Sequence, residues 1–162
     1  MKAPRKLGAY GMTVVLGLFG ASGLMKQCEP APTAAVSTDS CVTQVNKERA
    51  ARGIAPVSVD ARIRTAAQKH SDYQASINKM THTGRGYTNA GQRISAEGYR
   101  WTTWAENIAA GQRDCAQVMS AWMNSSGHRA NILNPKMQHI GMGVAKSSSG
   151  TMFWTMDLAA GG

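Results

Sequence analysis

Three ionisable side chains stand in segments from which they can converge on one site: His82 in MTHTG, Glu106 in WAENIAAG and His128 in SSGHRANILNP. Two imidazoles and a carboxylate have two uses. His82 and His128 can hold a divalent metal such as zinc, with one position left open to water, or Glu106 can orient a histidine that works as a base. In the metal-assisted form, zinc polarises the water and Glu106 takes its proton, which is hydrolase chemistry. The spacing alone does not demand either, because the chain has no HExxH or CxxC and the same three residues can satisfy loop backbones. There is no GxSxG elbow and no phosphate-binding glycine motif.

The other polar residues have plainer roles. His70 falls on the apolar face of a long helix and is expected to be a hydrogen-bonded core histidine; His139 at a strand entrance is expected to be solvated or structural. Arg129, Asn131 and Asn134 are suited to fastening loop carbonyls, as is Asn107 beside Glu106. Trp101 and Trp104 are expected in a loop where they can line a groove.

The elements that must carry these residues follow from periodicity. Val42, Val45, Arg49 and Ala50 predict a helix over Ser40 to Arg52, closed by Gly53. Ile63, Ala66, Ala67, His70, Tyr73, Gln74 and Ile77 mark one face of a longer helix from Val59 to Lys79. From Lys79 to Gly111 the pattern breaks, and apart from a short helix near Ala90 to Glu97 this segment is expected to be loop, of the kind that carries function. Asp114 and Gln117 form a capping-box start for a helix with Cys115, Val118, Met119 and Trp122 on its buried stripe. A short helix capped by Ser125 or Ser126 should follow and end before Asn134-Pro135. The tail alternates around SSSG, which predicts a β-hairpin with Met152, Trp154, Met156 and Leu158 on one side and with Gly141 and Gly143 open to close backbone approach. Helices followed by a hairpin make an α+β domain.

The 162-residue chain opens with Lys2, Arg5 and Lys6 ahead of an uncharged run from Leu7 to Met25. Residues 1–25 are expected to be an export signal, with a retained membrane anchor as the alternative. Lipidation at Cys28 is disfavoured by the large, polar residues before it. Residues 26–39, including EPAPTAAVSTD, form the expected linker, and 40–162 the single domain. The formal charge of +9 is scattered, without a basic stripe interleaved with aromatics. This argues against nucleic-acid binding and is compatible with weak attraction to an anionic cell envelope or membrane lipid. Cys41 and Cys115 remain as an even pair in a chain bound for an oxidising compartment, secreted or periplasmic, and are expected to form a disulfide.

VNKERAARGIAPVSVD, AAQKHSDYQA, MTHTG, GYRWTTWAENIAAG, AWMNSSGHRANILNP and HIGMGVA, in this order, resemble a bacterial secreted CAP (SCP) domain, of the superfamily of cysteine-rich secretory, venom allergen and plant pathogenesis-related proteins. The resemblance covers nearly all of Cys41 to Leu158. It implies an α-β-α sandwich with a small antiparallel sheet, and a cleft in which His82, Glu106 and His128 sit together and can take a divalent ion. Many eukaryotic members carry a second glutamate three residues after the tryptophan; here that position is Ser125. The resemblance implies a binding or interaction module in the first place, with a peptidase-like hydrolase and a lipid or sterol binder as alternatives, and a monomer as the expected state.

Overall fold

The computed structural model describes residues 37–161; the expected leader, Cys28 and most of the expected linker lie outside them. Helix α1 (Thr38–Ala50) begins at an N-cap, Ser37, whose hydroxyl accepts from Asp39 N–H. The two-residue strand β1 (Ser58–Val59) precedes α2 (Ala61–Ile77), which is capped by Asp60 and stopped by Asn78 in the left-handed conformation. Then come α3 (Ala90–Ala96), β2 (Trp101–Ala110), α4 (Cys115–Asn124), α5 (Ser126–Ile132), β3 (His139–Lys146) and β4 (Met152–Gly161).

The strands form one sheet in the order β1-β3-β4-β2. β3 and β4 are the expected hairpin, and β2 pairs antiparallel with β4. β1 joins β3 in parallel, which makes the sheet mixed at that edge. The ten residues of β2 correct the expectation of loop through Gly111. Their sequence, WTTWAENIAA, gives little alternation because both faces of the strand are covered, so polarity does not report the period.

Helices cover both faces. On one, Val42 and Val45 of α1 and Val118, Met119 and Trp122 of α4 pack with Ile140, Met142, Trp154, Met156 and Leu158 of the sheet. On the other, Ile63 and Ala66 of α2 and Ala90 and Ile94 of α3 meet Tyr99 and Ala159. Gly141 and Gly143 let α2 lie against the backbone of β3: a Cβ on Gly141 would stand 2.2 Å from the Ile63 carbonyl carbon and the Arg64 nitrogen. This is the α-β-α sandwich that the sequence motifs imply.

Two long-range ties hold the layer of α1, α4 and α5 together. Cys41 and Cys115 are joined by a disulfide with Cα atoms 5.0 Å apart, linking the starts of α1 and α4 across a sequence separation of 74. By the chain-entropy estimate such a loop contributes on the order of 4 kcal/mol. Arg49, fully buried, donates to the carbonyls of Ala55, Ile132, Asn134 and Met137 at 2.8 to 3.0 Å. It thereby fixes the segment between α5 and β3, whose carbonyls have no strand or helix of their own to bond.

Candidate functional site

Glu106 lies in the middle of β2 on the sheet face that looks toward α2 and α3, and its side chain is buried. A carboxylate in that position needs partners, and it has two strong ones. His82, just beyond the C-terminal cap of α2, donates from Nδ1 to Glu106 Oε1 at 2.7 Å. Arg93 of α3, itself buried, pairs with Glu106 Oε2 and at the same time donates to the His82 carbonyl at 2.7 Å. Arg93 therefore sets both ends of the His82–Glu106 contact.

His70 approaches the same carboxylate from α2, with Nε2 3.9 Å from Glu106 Oε2, and donates from that nitrogen to the Thr81 carbonyl at 2.7 Å. It is the core histidine expected from its place on α2, but it also touches the site, which the sequence did not reveal. Asp157 is the cross-strand partner of Glu106, fully buried, and among the described residues nothing hydrogen-bonds to either of its carboxyl oxygens.

His128 comes from the other layer. Asn131 donates to the Glu106 carbonyl at 3.3 Å and to Asn107 Oδ1 at 2.8 Å, and Asn107 donates to the His128 carbonyl at 3.0 Å. These bonds hold α5 to β2, the last strand in the sheet order, and so give Asn107 and Asn131 the fastening role expected of them. Arg129 likewise holds the Met123 carbonyl at 3.0 Å. Ser125 occupies the N-cap position of α5 but makes no side-chain capping bond. The imidazole of His128 is partly exposed and hydrogen-bonds to neither His82 nor Glu106 among the described residues.

The charges are ordered by these contacts. Burial pushes the Glu106 carboxyl up, but the hydrogen bond from His82 and the charge of Arg93 together hold it below its ordinary value. The bond to Glu106 raises His82 above the usual imidazole value, against partial burial. Burial lowers His70, reinforced by Arg93, and burial lowers His128, reinforced by the nearby charge of His82. Asp157 is raised well above the carboxylate range, by burial first and by Glu106 second. The site thus favours the charged form of Glu106, held between His82 and Arg93, and the neutral forms of Asp157 and His70 beside it. Its outer surface is His82, whose side chain is 59% exposed.

Sequence reasoning missed Arg93 and Asp157. Arg93 sits in a short helix with no partner in view along the chain. Asp157 did leave a signal: a lone acid inside the apolar strand TMFWTMDLA, on the side opposite Met156 and Leu158. Trp101 and Trp104, expected in a loop, stand on β2 edge to face with ring centroids 6.3 Å apart, and Trp101 donates to the Gly91 carbonyl of α3. His139 shares the Tyr99 hydroxyl with the Gly161 carbonyl, a structural role.

Among the described residues, no group of three or more His, Cys, Asp or Glu side chains is placed to hold a metal ion. The model of the cysteine-rich secretory protein (CAP) family matches residues 42–158 of this chain. The chain belongs to that family. Bacillus subtilis YkwD is 35% identical over 126 residues, 77% of this chain and 48% of YkwD, so the chain spans about half the length of that relative. The crystal structure of an extracellular SCP-domain protein from Bacillus anthracis superposes with a TM-score of 0.69 at 25% identity, covering 75% of this chain and 39% of the other. An outer surface protein of Borrelia burgdorferi shares the fold, with a TM-score of 0.70 at 18% identity over 78% of this chain and 97% of its own.

Proposed function

We propose that this CAP domain works outside the cytoplasm, secreted or held at the cell envelope, as a binding module whose ligand contacts the surface formed by His82 and His128 above Glu106. One observation carries this reading: both oxygens of Glu106 are engaged, one by His82 and one by Arg93. A carboxylate so committed fixes the tautomer and direction of His82, and leaves the imidazole Nε2 as the group offered to a ligand. It is poorly placed to serve as the free base of a hydrolase. The extracellular and outer-surface relatives support export, as does a leader with basic residues ahead of an uncharged run.

A resident catalytic zinc does not fit this donor set. Such sites use three protein ligands, whereas His82 and His128 supply two and Glu106 is occupied behind His82. The metal reading reduces to an ion held by two imidazoles, and no chemical step is routed through it. A groove of about 610 Å3 between α1 and α4, lined by Met119 and Met123 together with Gln44, Lys47, Glu48 and Asn124, is too polar to favour the lipid alternative.

Titration calorimetry on the exported form tests the reading. Cell-envelope fractions or lipid vesicles should give heats that vanish in His82→Ala/His128→Ala if the module binds through this surface; retained binding in that variant would refer it to another face. Zinc titrated in parallel should bind weakly or not at all. Glu106-dependent turnover of peptide, ester or peptidoglycan substrates would overturn the binding reading in favour of the hydrolase.

A further inference from the structure

A second concave site lies beside the first. Between α2, α3 and the turn at Gly84 to Tyr87 is a cavity of about 340 Å3, within the size range of small-molecule sites, whose lining includes neither His82 nor Glu106 nor His128. His70 and Arg93, both nearly buried, form its inner end, and Tyr73 and Tyr87 supply aromatic walls. Three cations border it, Lys69, Arg85 and Arg93, against one acid, Glu97.

Two of those cations are already neutralised. Lys69 pairs with Glu97 at 2.6 Å, and Arg93 pairs with Glu106. Arg85 has no ion pair and no side-chain hydrogen bond among the described residues; its guanidinium stands 5.9 Å from the centroid of the Tyr73 ring.

The backbone beneath Arg85 is unusual. Gly84 and Tyr87 exchange two hydrogen bonds of 3.0 Å, and between them Arg85 and Gly86 have φ of 44° and 84°, so both central residues of this two-residue turn are left-handed. That turn type favours asparagine, aspartate or glycine at its first central position, and an arginine there carries a local conformational cost. Gly84 is needed for a different reason: a Cβ on it would lie 2.2 Å from the Tyr73 ring, so the turn is seated directly on that wall. A strained arginine with an unspent charge, held by its turn at the mouth of an aromatic-walled cavity, is an arrangement that folding alone does not require.

We infer that this cavity is a binding site for a small aromatic carboxylate, its ring beside Tyr87 and its carboxylate on Arg85. The guanidinium offers a planar, paired set of donors matched to a carboxylate, and Tyr87 offers a ring to stack on, while Tyr73, itself stacked on His70 with centroids 6.3 Å apart, closes the wall. The inner wall, His70 and Arg93, also belongs to the cluster around Glu106, so the two sites are neighbours through those residues without sharing their ligand-facing groups.

The test uses the full chain with benzoate as probe, followed by amide and tyrosine-ring NMR shifts. Benzoate should give saturable shifts at Tyr73, Arg85 and Tyr87. Cyclohexanecarboxylate, which keeps the charge but not the ring, and benzyl alcohol, which keeps the ring but not the charge, should each bind more weakly. Arg85→Gly places a residue the turn prefers, so the variant should keep or raise its melting temperature while losing about tenfold in benzoate affinity, the loss of one charge-assisted contact. No saturable shift with benzoate, equal binding of the two control ligands, or unchanged affinity in Arg85→Gly would each overturn the assignment. None of these results bears on the His82 surface, whose test uses different residues.

Discussion

Glu106 and Asp157 face each other across β2 and β4, both buried, with their carboxyl pKa values moved in opposite directions. The difference is set by what reaches each: His82 and Arg93 bond to Glu106, and among the described residues no donor reaches Asp157. Two adjacent charges in this interior would repel with little solvent screening, so burial and the Glu106 charge both favour the protonated form of Asp157.

Asp157 should therefore penalise stability as pH rises. In the unfolded chain it loses its proton near its ordinary value of about 4, whereas the folded protein retains it; between those two values folding takes up a proton and stability falls, by about 1.4 kcal/mol per pH unit at most. Asp157→Asn removes this dependence. Urea unfolding of both proteins should show the variant gaining relative to the parent as pH rises above about 4. A difference that stays constant across that range would mean Asp157 is ionised in the fold.

His82 has a linkage of the same sign, in a higher pH range. Its folded value is raised, so its contribution to stability is complete below the ordinary imidazole value of about 6.5 and is lost as pH rises through the raised one. Histidine-resolved NMR titration should find His82 above, and His70 and His128 below, that ordinary value. Glu106→Gln should bring His82 down. It should also cost about 3–5 kcal/mol, because Arg93 is left buried without its counter-charge. An unshifted His82 midpoint in the variant would show that the contact with Glu106 does not set its basicity.

Arg49 should be among the most sensitive positions outside the site. Arg49→Ala would strand the carbonyls of Ala55, Ile132, Asn134 and Met137 and open a cavity, at a cost of at least about 3 kcal/mol. Because two of those carbonyls border the end of α5, hydrogen exchange should quicken there before it does in β3 and β4. Uniform exchange throughout would contradict a local fastening role.

The disulfide yields a check on both fold and compartment. Peptide mapping without reductant should recover Cys41 joined to Cys115, and Cys41→Ser/Cys115→Ser should lower unfolding stability by on the order of 4 kcal/mol. Two free thiols in the exported protein would refute the bridge.

The chain's local text determined a good deal. The start of α4 was legible because Asp114 caps it with its own side chain, and the final hairpin because Trp154, Met156 and Leu158 alternate with the residues between them. The close approach of α2 to β3 was legible as Gly141 and Gly143. The motifs carrying His82, Glu106 and His128 named the family. These signals depend on neighbours a few residues away, where sequence distance and spatial distance agree.

Only the tertiary structure decided how the site is wired. β2 was hidden because a strand covered on both faces loses its polar alternation, and β1 because two residues have no period. Arg93 and Asp157 meet Glu106 only through the packing of α3 and the pairing of β4, at separations of 13 and 51 residues that no local pattern spans. The sequence determined which ionisable groups the domain owns; burial and cross-strand pairing decided in which direction each titration is shifted, and that His82, held by Glu106, is exposed.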